Sequence, residues 1–205
     1  YEMQERMAVG SIKSLATLLS VKSPSTYTHS LTFVKLSLEI GKQMGMNQEE
    51  LQHLHYAALL PDAGKAWVPE KILKKPTGLT KKEYTLIKQH PMKGVEIIKH
   101  IEALKPSIPI VLHHHERYDG KGYPDRLKGA KIPLGARIMA VCDAFEAMMT
   151  KKPYRPAMSI KDALVEIKRH AGDQFDPAVV EVFLKLCEDK SSHILSGFSA
   201  ESKSW

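Results

Sequence analysis

Residues 134–149 read LGARIMAVCDAFEAMM, and the periodicity of this stretch sets the reading of everything around it. Leu134, Ile138, Val141, Phe145 and Met148/Met149 recur at three- and four-residue steps, the spacing of one face of an α-helix. Asp143 interrupts that apolar surface. A carboxylate left without a partner there costs several kcal/mol, so a cation or the guanidinium of Arg137 is expected to meet it.

Immediately upstream, residues 113–124 read HHHERYDGKGYP. Neutral imidazole is the commonest side-chain ligand of transition metals. Two neighbours in sequence, His114 and His115, serve one site only where a helix ends or is distorted, and the Asp-Gly-Lys-Gly run supplies that ending. Gly120 and Gly122 admit conformations and close approaches closed to other residues; a plain turn uses glycine in the same way.

Further outward, nearly every segment reads as helix. Residues 3–20 place Met7, Ser11, Leu15 and Leu18/Leu19 on one face, and Ser23-Pro24-Ser25 breaks the pattern. A helix over 27–44 directs Leu31, Val34, Leu38 and Ile40 inward, with Gly45 near its end. Another covers 48–60. Pro61 and Pro69 bracket a stretch predicted to be non-helical, because proline lacks the amide a helix interior needs. Thr80 and Glu83 form a capping box opening a helix towards His90. Helices follow from Pro91, from about Ile108 into the histidines, from Ser159/Asp162 to near Gly172, and from Asp176-Pro177 to about Cys187. No period-two strand is present, so the fold class is all-α, a helical bundle. The expected organisation is a leading helix or linker over 1–22, one domain over 23–189, and a loose polar tail over 190–205. The chain starts without methionine and reads as helix from its outset, which suggests a piece of a longer protein.

Composition narrows the functions. The 205 residues are 43% hydrophobic and 26% charged, the balance of a folded globular protein. No apolar run is long enough to span a membrane, and no signal-peptide pattern opens the chain. Cys142 and Cys187 lie in apolar helical contexts, favouring buried thiols in a reducing, cytoplasmic compartment. The net charge of +7 suits an anionic partner. The lysines are dispersed, however, and no groove- or strand-binding motif appears, so nucleic acid is not expected.

His29, Asp62, His90, His114, His115 and Asp143 fall on four or five predicted helices, each near an end or a kink. A metal site inside a helical bundle has this distribution. Mixed imidazole and carboxylate ligation suits Mn, Fe, Co, Ni or Zn rather than Ca or Mg. A carboxylate can bridge two ions, and two ions about 3.5–4 Å apart are the usual device for cleaving a phosphodiester. Each residue also has an ordinary reading: His90 before Pro91, taken alone, is a capping or surface histidine, and His29 in YTHSL is unremarkable by itself. His53, His55, His100, His170 and His193 are assigned no role.

With these residues in view, the chain resembles the HD-GYP family, a bacterial branch of the HD phosphohydrolases that hydrolyses cyclic di-GMP. The resemblance runs from about His29 to Phe183, through YTHS, LLPDAGK, VPEKILKKPTGLTKKEY, KQHPMKG, HHERYDGKGYP, LKGAKIPLGARIMAVCDAFEAM and KKPYRPAMS. It implies an HD-domain bundle binding one or two divalent ions, iron or manganese, through His29, Asp62 (bridging), His90, His114, His115 and Asp143. Asp62 and Lys65 would be catalytic, with Lys65 touching the scissile phosphate. Glu146, Lys152, Tyr154 and Arg155 would meet the ligand's guanines and outer phosphate, and Gly122 and Tyr123 would also contact the substrate. Cyclic di-GMP is the implied ligand, a diguanylate cyclase or other signalling protein an implied partner, and a homodimer an implied assembly. The sequence departs from the family at Pro61, where the family carries a histidine, at Lys152 in place of arginine, and at Glu146 in place of aspartate. Proline cannot coordinate, so one ion loses an imidazole. That leaves three readings open: a weakened phosphodiesterase, a receptor that binds the dinucleotide without cleaving it, and, less favoured by the intact GYP loop, an HD phosphohydrolase acting on another nucleotide.

Overall fold

The structure is a computed structural model that describes Gly10, Ile12, Ser14 and Thr17, then residues 31–151 and 156–188. Nine α-helices fall within the two long stretches: α1 (Leu31–Gln43), α2 (Gln48–Leu59), α3 (Glu70–Leu73), α4 (Lys81–Ile87), α5 (His90–Ile98), α6 (Ile108–His113), α7 (Leu134–Met149), α8 (Ile160–Arg169) and α9 (Pro177–Glu188). Three 3₁₀ segments join them, Ala63–Trp67, Glu102–Ser107 and Gly129–Lys131. Among the described residues there is no strand, only an isolated bridge between Ala171 and Phe175.

The helix ends follow local chemistry. Asn47 and Glu50 close a capping box at α2, and Thr80 and Glu83 close the one expected at α4; each satisfies amides that a first turn leaves open. Gly45, at φ +81°, takes the left-handed position beyond α1. Helix α7 has the bounds its periodicity predicts. It buries Ile138, Val141, Cys142 and Phe145 against α1 and α9, and the Phe145 and Phe183 rings meet edge to face at 5.1 Å. Ile12, from the leading stretch, is only 1% exposed and belongs to the same core. The other leading positions read as inward, Met7, Ser11, Leu15 and Leu18/Leu19, lie outside the described residues.

Three expectations change. Leu31 is 74% exposed, because the inward stripe of α1 runs through Phe33, Leu36, Ser37 and Ile40. The stretch between Pro61 and Pro69 is helical after all, a 3₁₀ turn over Ala63–Trp67 that both prolines flank without entering, so no amide it needs is missing. Arg137 does not meet Asp143. It donates from Nε to the Ile132 carbonyl (2.9 Å) and from Nη1 to the buried carboxylate of Asp176, tying α7 to the start of α9.

Candidate metal centre

The site begins with a steric fit. Gly64, inside the 3₁₀ turn, lies so close to α5 that a Cβ on it would stand 1.9 Å from the His90 carbonyl oxygen and 2.5 Å from the Gly94 amide nitrogen. Only glycine permits that approach. It seats the turn carrying Asp62 and Lys65 against the helix that opens with His90. Helix α6 ends at His113, so His114 and His115 leave the helical repeat and turn towards the same point.

Ligand atoms of Asp62, His90, His114 and His115 all lie within 4.8 Å of one another. Asp62, His90 and His114 are buried, and His115 is half-buried. His90 Nδ1 donates to the Ile87 carbonyl at 2.8 Å, and His114 Nδ1 donates to the Val111 carbonyl at 2.6 Å. A carbonyl can only accept, so Nδ1 carries a proton in both rings, and in a neutral imidazole Nε2 is then the atom left to ligate. Those two Nε2 atoms face each other at 3.4 Å, with Asp62 Oδ1 a further acceptor 3.3 Å from His90 Nε2. Imidazole nitrogens and a carboxylate oxygen converging in a buried place fit a cation. Neighbouring backbone carbonyls orient the imidazoles, as is usual for metal-bound histidines.

Electrostatics match that reading. Burial, only partly opposed by Asp62, lowers the His90 pKa to about 3, and burial together with the other two imidazoles holds His115 well below the ordinary histidine value. Both are therefore neutral and competent to ligate. Lys65 Nζ contacts Asp62 Oδ2 at 2.5 Å. Burial works against its charge, but the carboxylates of Asp62 and Asp143, with Glu146 behind them, outweigh it and raise its pKa.

The remaining candidates are distributed as follows. Asp143, half-buried on α7, sends its charge towards Lys65 and Tyr123 but contributes no atom to the tight group of four. Glu146 is buried on the same helix. Tyr123 stacks on the His115 ring at 5.0 Å and 26°, and burial raises its phenol pKa. Gly122 is buried, and a Cβ there would stand 2.3 Å from the Arg117 nitrogen. His29, Lys152, Tyr154 and Arg155 lie outside the described residues. Pro61 is buried directly before Asp62 and offers no donor. Sequence reasoning passed over Gly64, Gly94 and Glu116. Glu116 is buried, and its Oε1 accepts the Asp125 amide at 2.7 Å, clamping the loop that carries Tyr123.

Helical bundle and acceptor cluster together define a class of protein, and comparison with known proteins gives the same class. Residues 13–179 match the HD domain family. The chain belongs to that family, in the HD-GYP branch marked by its glycine-tyrosine-proline loop. A cyclic di-GMP phosphodiesterase of Thermotoga maritima is 37% identical over 177 residues, covering 85% of this chain and 48% of its own length. The cyclic di-GMP phosphodiesterase response regulator RpfG of Xanthomonas campestris is 40% identical over 148 residues, 71% of this chain and 39% of its own length. The chain thus spans half or less of the curated relatives it matches. Among solved structures, a cyclic GMP-AMP phosphodiesterase of Vibrio cholerae superposes with a TM-score of 0.69 at 23% identity, covering 91% of this chain and 50% of that one. That likeness concerns the fold.

Proposed function

We propose that this domain hydrolyses cyclic di-GMP, using a divalent transition metal, iron or manganese, held by Asp62, His90, His114 and His115. One observation carries the reading: four donor atoms converge within 4.8 Å, and the Lys65 ammonium is fixed on the second oxygen of one of them. Cyclic di-GMP is also the substrate named for both sequence relatives. An ion bound there would supply Lewis acidity towards a phosphoryl oxygen and lower the pKa of water.

The chain's own residues do the rest. Asp62 divides its oxygens, Oδ1 towards His90 Nε2 and Oδ2 towards Lys65. Lys65 therefore stays protonated beside the donor cluster, as an electrostatic partner for a non-bridging oxygen of the scissile phosphate and not as a base. Asp143 and Glu146 keep that charge in place, and on the family resemblance Asp143 and His29 serve a further ion. Tyr123, over His115, walls the approach, with Gly122 allowing its loop to lie close. Glu146, Lys152, Tyr154 and Arg155 are assigned to the outer parts of the substrate on the resemblance.

Pro61 favours a second reading. Three imidazoles and one carboxylate suffice for one ion, and a site short of a ligand can bind the dinucleotide without cleaving it. The domain would then act as a receptor for a protein partner. The deciding experiment is turnover of cyclic di-GMP by purified protein in Mn(II) or anaerobic Fe(II) buffer, with bound metal quantified on the same sample. Turnover with metal present establishes the phosphodiesterase. Metal and ligand binding without turnover establishes the receptor, and absence of both removes the site assignment.

A further inference from the structure

Lys88 caps the C-terminal end of α4, two residues before His90. Its Nζ lies 4.8 Å from the centroid of the Tyr84 ring and 5.1 Å from that of Tyr123. Tyr123 in turn stacks on His115. The ammonium is therefore one aromatic ring removed from the donor cluster. Tyr84 is 50% exposed, so solvent reaches the ring beside this cation.

A second lysine of this helical region gives the contrast. Lys93 lies 4.9 Å over the Trp67 ring, but its charge is met by Glu96 at 3.0 Å. Lys65, likewise, is surrounded by carboxylates. Lys88 has aromatic walls and, among the described residues, no carboxylate within ion-pair distance. Aromatic faces attract a cation and strip part of its hydration without neutralising it. Such a charge, one ring away from the donor cluster, draws an anion.

A cyclic dinucleotide carries two phosphates, and the donor cluster with Lys65 accounts for one. We propose that Lys88, walled by Tyr84 and Tyr123, binds the second, uncleaved phosphate, and that the Tyr84 ring shelters this contact from water. The inference rests on the reading above, that the site takes a cyclic dinucleotide. It adds a contact from the α4 side of the site, beside the residues that the resemblance assigns to the outer phosphate and separate from the carboxylate-bound lysine.

The test is equilibrium binding of fluorescently labelled cyclic di-GMP to the metal-loaded protein at low and high salt. Lys88→Gln is expected to weaken binding about tenfold, the scale of one charge-assisted hydrogen bond, and to flatten the salt dependence. Its metal content and melting temperature should match wild type. GMP, with one phosphate, should lose less affinity than the dinucleotide, and Lys88→Arg should restore most of the loss. Wild-type affinity and salt dependence in Lys88→Gln would overturn the inference while leaving the proposed function intact. A wild-type protein that neither binds nor cleaves the dinucleotide removes the functional reading, and this contact with it.

Discussion

The two glycine junctions that frame the site, Gly64 on α5 and Gly122 on the backbone of Glu116 and Arg117, are equally tight and differently secured. The Gly64 junction is a packing contact: backbone meets backbone under Asp62 and His90, and the ionic link beside it, Lys65 to Asp62, belongs to the site itself. The Gly122 junction is laced by polar bonds. Arg117 donates to Asp119 (2.8 Å) and to the Gln174 side chain (3.1 Å), Tyr118 donates its amide to the Gln174 carbonyl, and Asp119 donates to the Asp173 carbonyl. Steric contact is indifferent to salt and pH, whereas hydrogen-bonded carboxylates and guanidinium are not. The donor cluster is thus set by shape and the loop over it by charge.

The contrast can be broken by substitution. On the packing side, Asp62→Ala should lower metal affinity at least about 100-fold, since it removes a ligand and not merely its support. Stoichiometric metal in that variant, measured by elemental analysis after dialysis, would defeat the ligand assignment. Gly64→Ala should destabilise the domain by about 3 kcal/mol, the upper range for overpacking, because its new methyl meets a carbonyl oxygen and not a movable side chain. Thermal melting reads the loss, and metal content should fall with it.

Pro61→His sharpens the same side. It should raise the metal bound per chain and, with it, the turnover rate; unchanged values for both would mean that Pro61 is not what limits the site. On the loop side, Arg117→Gln should cost about 1 kcal/mol and raise KM for the dinucleotide a few-fold, with metal content unmoved. Loss of metal in that variant would erase the distinction between the two junctions.

The smallest effect is in acid. The Arg117 hydrogen bond, helped by the Lys121 amide, lowers the Asp119 pKa to about 2, below its unfolded value. A lowered carboxylate pKa stabilises the fold above the unfolded pKa and stops doing so as pH falls through the folded one. The melting-temperature difference between wild type and Asp119→Asn should therefore be flat above about pH 4 and shrink towards pH 2. For a pair near the surface its plateau is at most about 1 kcal/mol. A difference that grows on acidification would contradict the assignment.

What the sequence made legible was local. Periodicity delimits α7 at Leu134 and Met149, the Thr80–Glu83 spacing names a helix start, and adjacent histidines before a glycine-rich run imply a helix end at the site. Pairings across the chain were not legible. Nothing near Arg137 in sequence says that its carboxylate is Asp176, thirty-nine residues on, and not Asp143 six residues away. The 3₁₀ turn was hidden because two prolines suggest a break, while the fit that turn makes is visible only as Gly64 against Gly94. Lys88 looked like one of many dispersed lysines; only the tertiary placement of two tyrosine rings sets it apart.

One contact bears on how the molecule is made. Ile12 and Phe183 lie in a single core with Val111, whose carbonyl orients His114. During synthesis the histidines emerge long before Phe183 does. Domains close as units, so the scaffold that aims those imidazoles is incomplete until Phe183 has left the ribosome. Metal loading should then be a late event, following release of α9 and not the appearance of the ligands.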